Sequence, residues 1–114
     1  MSVTCEDMVN PENATNVSTV YHTKKEDRTL ELQQGYINGR QYAWAQLTNA
    51  FEGDTIWLEI SDDGGGHWIR CGWHTIHDGD ERNYTDAKLT VDSSEVCMRA
   101  ATLLGPVYRT QKWC

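Results

Sequence analysis

Residues 61–68, which read Ser-Asp-Asp-Gly-Gly-Gly-His-Trp, constrain the fold of this chain more than any other segment. Consecutive glycines accept the positive φ angles of a tight turn, and Asp63 can accept hydrogen bonds from backbone N–H groups within it. Trp68 follows at a position from which its side chain can fold back under the turn. The segment therefore predicts a compact β-hairpin, which is a folding device more than a catalytic one.

This segment fits the S-x-D-x-G-x-T-W pattern of the Asp box at every defined position but one. The matching residues are Ser61, Asp63, Gly65 and Trp68, and His67 stands where Thr is usual. In this motif the chain is similar to sialidases and related hydrolases, where it recurs once per propeller blade, and to small secreted microbial ribonucleases, where it occurs once. The likeness implies an extracellular β-protein. A chain of 114 residues is too short for a six-bladed propeller, which excludes sialidase activity.

Length and charge narrow the class of protein. A chain of 114 residues predicts one domain with a modest core, at a size where covalent support is common. The formal net charge of -7, from 17 acidic and 10 basic residues, disfavours nucleic acid and anionic membrane surfaces as partners. No apolar run approaches the roughly 20 residues that span a bilayer. We expect Met1 to stand in place of a removed secretion signal.

Four cysteines, even in number and widely spaced, lack the C-x-x-C spacing of zinc or thioredoxin-like sites. We expect two disulfides and a secreted protein; the alternative is four buried free thiols. Three pairings are open. We favour Cys97 with Cys114, because the last strand is expected to lie near the one before it, which leaves Cys5 with Cys71.

The chain divides into a polar N-terminal arm at residues 1–16 and a single β-domain at residues 17–114. Turn signals recur at a spacing typical of an antiparallel sandwich or small barrel. We therefore predict an all-β fold, a small antiparallel β-sandwich or barrel of about 7–9 strands, with no amphipathic helix of useful length.

Several strands can be placed along the β-domain. Asn38-Gly39 is the strongest two-residue hairpin signal available, and Leu30 and Leu32 alternate with polar residues before it. Later strands are expected at about 41–48, 55–61, 68–76, 84–91, 95–101 and 107–113.

Three blocks of residues after position 38 follow one pattern, which runs G-R-x-x-A-x-A, then G-D-x-V-W-L-D-x-S-x-D-G-G-x-T-W, then a late V-R-A-C and a terminal C-T-x-W. The matching residues are Gly39, Arg40, Ala43, Ala45, Gly53, Asp54, Trp57, Leu58, Ser61, Asp63, Gly64, Gly65, Trp68 and the segments 96–100 and 112–114. Over about two thirds of its length the chain resembles a family of small secreted actinobacterial domains of unknown function, found alone or appended to extracellular hydrolases. The C-terminal residues differ from this pattern, since Cys97 precedes Arg99 and Trp113 precedes Cys114. The resemblance implies a β-rich fold and no established activity.

Strand parity predicts one candidate binding surface. Tyr42, Trp44 and Trp57 fall opposite the aliphatic rows of their strands, with Gln46 and Glu59 alongside. If the two strands pair, these residues form an aromatic platform edged by hydrogen-bonding groups, on which sugar rings can stack. In the alternative, a second sheet or the N-terminal arm covers this face and the tryptophans belong to the core.

Metal and cofactor chemistry have little support, and no cofactor is expected. The four histidines, His22, His67, His74 and His77, lack the geometry of a joint metal site and are expected at the surface. Asp78, Asp80 and Glu81 are interpreted as a solvated turn, because the later bidentate glutamate of a helix-loop-helix calcium site is missing.

The leading hypothesis is a secreted, non-catalytic domain that binds carbohydrate or cell-envelope polymer. A secreted protein-binding factor, an inhibitor or toxin that acts through loops 49–54 and 77–83, is the alternative. A minor alternative is a ribonuclease-like hydrolase with Glu59, Arg70 and His74 as base, phosphate ligand and acid. Exposed coplanar tryptophans would favour sugar, and buried tryptophans with a projecting apolar loop would favour protein.

Overall fold

The computed structural model describes residues 3–77 and 82–114. Within these residues the regular secondary structure is eight β-strands, without a helix. The strands are β1 Thr15–Lys25, β2 Arg28–Ile37, β3 Arg40–Thr48, β4 Thr55–Ser61, β5 Ile69–Thr75, β6 Lys88–Leu89, β7 Cys97–Leu103 and β8 Val107–Arg109. The all-β class predicted from the sequence is confirmed.

The strands form two antiparallel sheets of four strands each. The first sheet has the order β1-β2-β3-β6 and the second the order β5-β4-β7-β8. Their inner faces share one core in a sandwich-like arrangement, because alternate residues of β2, β3, β4 and β7 belong to the same buried cluster. The core residues are Leu30, Leu32, Ala43, Ala45, Leu47, Ile56, Leu58, Ile60, Cys71, Met98 and Ala100.

The β2–β3 hairpin turns at the predicted dipeptide. Asn38 and Gly39 have φ angles of 52° and 79°, and Ile37 pairs with Arg40 across the turn. Two residues at positive φ match the right-handed twist of the flanking strands, which is why Asn-Gly is favoured here. The hairpin fixes the register that buries the alanines of β3.

Other elements differ from the sequence expectation. The polar strand β1 was not predicted, because it is an edge strand with most of its side chains exposed and so shows little apolar alternation. The strand expected at 84–91 is reduced to two residues, with isolated bridges at Tyr84 and Ala87. The strand expected at 107–113 ends at Arg109, and Trp113 adds a single bridge to Met98.

Two disulfides join the favoured cysteine pairs. Cys5 bonds to Cys71 and Cys97 bonds to Cys114, with Cα–Cα distances of 5.3 and 4.0 Å. The first bond ties the N-terminal segment to β5 across a separation of 66 residues. Disulfides persist in oxidising compartments, so they point to an extracellular or comparable environment. In the part of the chain that is described, no helix has the length and apolar character needed to cross a membrane.

Side chains of the turn itself hold the β4–β5 hairpin. The Ser61 hydroxyl donates to Asp63 Oδ1 at 2.7 Å and accepts the Gly65 N–H at 2.9 Å. Asp63 also accepts the His67 N–H at 2.9 Å, and Trp68 Nε1 donates to the Gly65 carbonyl at 3.0 Å. These bonds satisfy backbone donors that a tight turn would otherwise leave unpaired.

The same turn contains an exposed acid–base pair. Asp63 Oδ2 lies 2.6 Å from His67 Nδ1. This hydrogen bond, together with the one from Ser61, holds the pKa of Asp63 far below its usual range. The carboxylate in turn raises the pKa of His67. Opposite charges on the two groups therefore favour the hairpin conformation.

Candidate functional site

The predicted aromatic platform is divided between two surfaces. β3 lies in the first sheet and β4 in the second, so the two strands do not pair. The first outer face carries Tyr42, Trp44 and Gln46, which pair with β2. Trp57 and Glu59 lie on the second outer face, opposite the core residues of β4. The pairing on which the single platform depended is therefore absent.

On the first outer face, the N-terminal segment covers Trp44, which is 4 % exposed. A Cβ atom on Gly35 would lie 2.9 Å from Trp44 Cη2 and 3.0 Å from Val17 Cγ2, so indole, glycine and β1 pack tightly. A small cleft of about 200 Å³ beside the indole is lined by Pro11, Glu12, Ala14, Val17, Gln46 and Tyr84. On this face the structure matches the alternative in which the N-terminal arm covers the tryptophan.

On the second outer face, one tryptophan lies over another. Trp57 is fully buried, yet its ring stacks on that of Trp73 with centroids 4.4 Å apart and planes inclined by 25°. Trp73 remains 54 % exposed. This face therefore presents a flat indole to solvent, although neither tryptophan of the predicted platform does so.

A β-bulge brings the two indoles together. Leu58 pairs with Cys71 and Ile56 with His74, so Trp57 faces two residues of β5, Gly72 and Trp73. Gly72 has a φ of 68°, which suits the extra residue of a bulge. Trp73 is not among the residues that strand parity placed in the predicted binding surface. A glycine inside a strand pattern is the signal that indicates such a bulge.

Glu59 lies beneath this face as a buried carboxylate with three close donors. Trp57 Nε1 donates to it at 2.8 Å, Arg99 Nε at 2.7 Å and Arg109 Nε at 2.8 Å. Burial raises the pKa of Glu59, but the hydrogen bonds from Arg109, Trp57 and Arg99 outweigh burial and leave the pKa below its usual value. Glu59 is thus a buried, ionised acceptor of hydrogen bonds from neighbouring side chains, and it is not itself at the surface.

Arg70 is held differently from the other two arginines. Its Nε lies 3.6 Å from Glu59 Oε2, beyond hydrogen-bond distance, and its side chain is 45 % exposed. The guanidinium carbon lies 4.9 Å from the centroid of Trp57 and 5.9 Å from that of Trp73. Among the described residues, the Arg70 guanidinium has an ion-pair partner and two aromatic neighbours but no hydrogen-bond acceptor.

We call this surface the tryptophan–arginine face; it consists of Trp57, Glu59, Trp68, Arg70, Trp73, Arg99 and Arg109. The Arg99 guanidinium extends it toward the β4–β5 hairpin, since it lies 3.9 Å from the centroid of Trp68. Three arginines and one carboxylate leave two positive charges in excess on this face. The chain as a whole carries -7, so the face is a cationic patch on an acidic protein.

The three residues considered for acid–base catalysis do not converge. His74 pairs with Ile56, so its side chain lies on the core side of the sheet, away from Glu59. His74 Nε2 lies 2.9 Å from the backbone carbonyl of Arg82. Glu59 in turn is enclosed by arginines, which leaves Arg70 as the one exposed member of the set.

The histidines and acidic residues form no metal site within residues 3–77 and 82–114, where no group of three or more potential ligands is found. His22, His67 and His77 are exposed, as expected, whereas His74 is half-buried. The turn of Asp78, Asp80 and Glu81 lies outside the described residues.

The loop of residues 49–54 is a second exposed feature. Phe51 is 54 % exposed, and its ring lies 4.2 Å from the Arg28 guanidinium. Asp54 fixes the loop, because it accepts the Phe51 N–H at 2.8 Å and two hydrogen bonds from Arg28 at 2.8 and 2.9 Å. An exposed apolar ring thus extends from a loop that hydrogen bonds to Asp54 hold in place. The other predicted loop, 77–83, falls largely outside the described residues.

A cleft of about 520 Å³ opens near the second disulfide. It is lined by Gln41, Thr90, Val91, Asp92, Ser93, Ser94, Val96, Met98, Trp113 and Cys114. The lining mixes hydroxyl and apolar side chains and contains no arginine, lysine or histidine. It therefore offers an indole, Trp113, and a carboxylate, Asp92, but not the positive charge of the tryptophan–arginine face.

Comparisons of this chain with protein-family models, with curated proteins and with solved structures found no match.

Proposed function

We propose that this protein is a secreted, non-catalytic domain that binds carbohydrate, and that the tryptophan–arginine face is its binding surface. The observation that carries the proposal is the stack of exposed Trp73 on buried Trp57. Sugar rings bury their C–H faces against indole, while their hydroxyl groups bond to polar side chains at the edge. A ring already fixed by a second indole loses little conformational entropy when a ligand binds.

The proposal keeps the sugar-binding hypothesis but assigns its residues new roles. Trp73 is the contact surface, and Trp57 and Glu59 support it from below. Tyr42, Trp44 and Gln46 are not part of the proposed surface, because the N-terminal segment covers Trp44.

Secretion and the identity of the hairpin belong to the same proposal. The two disulfides support an oxidising location. The bonds among Ser61, Asp63, Gly65 and Trp68 support the assignment of residues 61–68 as an Asp box. In this proposal the hairpin is structural, and it places Trp68 beneath Arg99 at one end of the binding face.

The test is retention of the oxidised protein on insoluble polymers: cellulose, chitin, xylan, peptidoglycan and immobilised polygalacturonate. We expect wild type to be retained on at least one, and Trp73→Ala to be lost from it. Phe51→Ala is the matched control, because it removes an aromatic ring of equal exposure from another surface. Equal retention of wild type and Trp73→Ala, or no retention of wild type on any polymer, would contradict the proposal.

A protein-binding factor is the second candidate, and the hydrogen-bonded loop that carries the exposed Phe51 ring favours it. Exposed aromatic anchors on preorganised loops are typical of protein interfaces. The same two variants separate the candidates. Capture of a secreted protease or hydrolase that Phe51→Ala abolishes and Trp73→Ala preserves would favour the protein-binding function.

A further inference from the structure

We infer that the tryptophan–arginine face recognises a polysaccharide of uronic acids, with the sugar ring stacked on Trp73 and its carboxylate paired with Arg70. This inference rests on the proposed carbohydrate-binding function and specifies its ligand. It follows from the distribution of charge around Glu59, from the position of Arg70 beside the indoles, and from the overall charge of the chain.

The charge of Glu59 is already compensated by two of its three arginines. Arg99 and Arg109 donate to one of its oxygens at 2.7 and 2.8 Å, whereas Arg70 stays 3.6 Å from the other. Arg70 is also the most exposed of the three. Its donors have no acceptor among residues 3–77 and 82–114, so the guanidinium is an additional positive charge at the solvent side of the cluster.

The position of Arg70 determines where an anionic group must be on the ligand. Its guanidinium carbon is within 6 Å of the centroids of both Trp57 and Trp73, at 4.9 and 5.9 Å. The guanidinium is nearer the buried Trp57 than Trp73, and because the Arg70 side chain is 45 % exposed it can extend to an anion at the edge of a ring stacked on Trp73. The carboxylate of a uronic acid is attached directly to the sugar ring, so it reaches this position. Its planar geometry also matches the paired donors of guanidinium.

Because the chain is acidic and repels anions, we expect a ligand whose negative charges are widely spaced. At physiological salt the Debye length is about 8 Å, so acidic residues elsewhere repel a carboxylate at this face only weakly. A polymer with one charge per sugar can approach a local excess of two positive charges. Double-stranded DNA carries about one charge per 1.7 Å of helix axis, which is denser than one carboxylate per sugar, so the net -7 of the chain repels it more strongly. The surface therefore fits a uronate polymer better than a polyphosphate.

The decisive experiment compares one sugar backbone with and without its charge. Binding of the oxidised protein to polygalacturonate and to fully methyl-esterified polygalacturonate is measured by affinity electrophoresis or calorimetry. We expect wild type to prefer the free acid by about 10-fold or more, the usual range for a charge-assisted hydrogen bond. Arg70→Gln should lose most of that preference. Arg40→Gln removes the same charge at the β2–β3 hairpin and should keep it.

Two further variants make the result specific. Trp73→Ala should lose binding to both polymers, since it removes the stacking surface. Arg70→Lys keeps the charge without the planar fork and should retain only part of the preference for the acid. Because Arg70 is exposed and lacks a hydrogen bond to Glu59, both Arg70 variants should unfold at the wild-type temperature.

Three other outcomes would contradict the uronate inference, and one of them would also contradict the proposed carbohydrate-binding function. Equal, Trp73-dependent binding to the acid and its ester would overturn the uronate inference and leave the carbohydrate-binding function standing. Competition by dextran sulfate as strong as that by oligogalacturonate at equal charge would show recognition of charge alone and overturn the inference. Absence of binding to every polymer would overturn both.

Discussion

The outer faces of the two sheets share one sequence pattern but differ in what covers their tryptophans. Each carries a tryptophan opposite an aliphatic row, Trp44 on β3 and Trp57 on β4, and both indoles are buried. Trp44 is covered by chain, from the N-terminal segment and Val17 on β1. Trp57 is covered by Trp73, which is itself exposed.

The difference shows that an outward-facing strand position is not the same as an exposed one. When another segment of the chain covers a tryptophan, as at Trp44, no aromatic ring remains at the surface. When a second tryptophan covers it, as Trp73 covers Trp57, an exposed ring remains and stacks on the buried one. The second face also carries charge. The polar residue beside Trp57 is Glu59, which accepts hydrogen bonds from Arg99 and Arg109, whereas the polar residue beside Trp44 is the neutral Gln46. Five predictions test this contrast, beginning with the largest effect.

Removing either buried indole should cost about 3–5 kcal/mol of unfolding free energy, since both leave large cavities. Trp44→Ala and Trp57→Ala should thus be similar in chemical denaturation. They should differ in near-ultraviolet circular dichroism, where only Trp57→Ala loses the signal of the stacked pair. An unchanged spectrum for Trp57→Ala would argue against the stack.

Glu59→Gln should destabilise by about 2–3 kcal/mol, because it leaves Arg99 and Arg109 in partly buried positions without their counter-charge. Gln46→Ala, at the corresponding place on the first face, should change stability by less than about 1 kcal/mol. Urea denaturation of the two variants measures the contrast. Equal effects would mean that the arginine cluster has no special role in stability.

Gly35→Ala should destabilise by about 1–3 kcal/mol through overpacking against Trp44 and Val17. The added methyl should also loosen the N-terminal cover. Faster hydrogen exchange in β1, compared with β8, would show this directly. A variant as stable as wild type would mean that the first face is not tightly closed.

Trp73→Ala should cost less than Trp57→Ala, about 1.5–2.5 kcal/mol, because it removes the aromatic pair contribution and the burial of about half of the Trp73 side chain. Stability and binding therefore separate at this position, since the same variant is expected to abolish retention on polysaccharide. A loss comparable with that of Trp57→Ala would place Trp73 in the core rather than at a binding surface.

The smallest effect is a pH dependence specific to the second face. Hydrogen bonds from its arginines outweigh burial and lower the pKa of Glu59, so below the ordinary value of about 4.5 the unfolded chain binds a proton that the folded chain does not. The stabilisation from Glu59 is present above that pH and is lost as the pH falls through its folded pKa. Glu59→Gln should show a shallower loss of stability with acid than wild type.

Local sequence signals were enough for the central strands, the Asn38-Gly39 hairpin and the Cys97–Cys114 pair, which left Cys5 and Cys71, 66 residues apart, as the second pair. These features depend on alternation, turn residues and chain proximity, which are readable over short distances. β1 was missed because a polar edge strand takes its order from its neighbour rather than from its own apolar residues.

The candidate site was predicted only in part, for a topological reason. Alternation within β3 and β4 places Trp44 and Trp57 on outer faces, but only the sheet order shows that these are different faces. Trp73 follows from a bulge at Gly72, and the role of Arg70 follows from Arg99 and Arg109 on strands far along the chain.

By itself, the sequence determined an all-β, disulfide-bonded chain with defined turns, because each of these properties comes from residues close together or from the chemistry of one residue type. The tertiary structure alone decided which aromatic ring meets solvent and which of the three arginines around Glu59 donates no hydrogen bond to it. Exposure and charge pairing are sums over every segment that packs nearby, and those segments are distant in sequence.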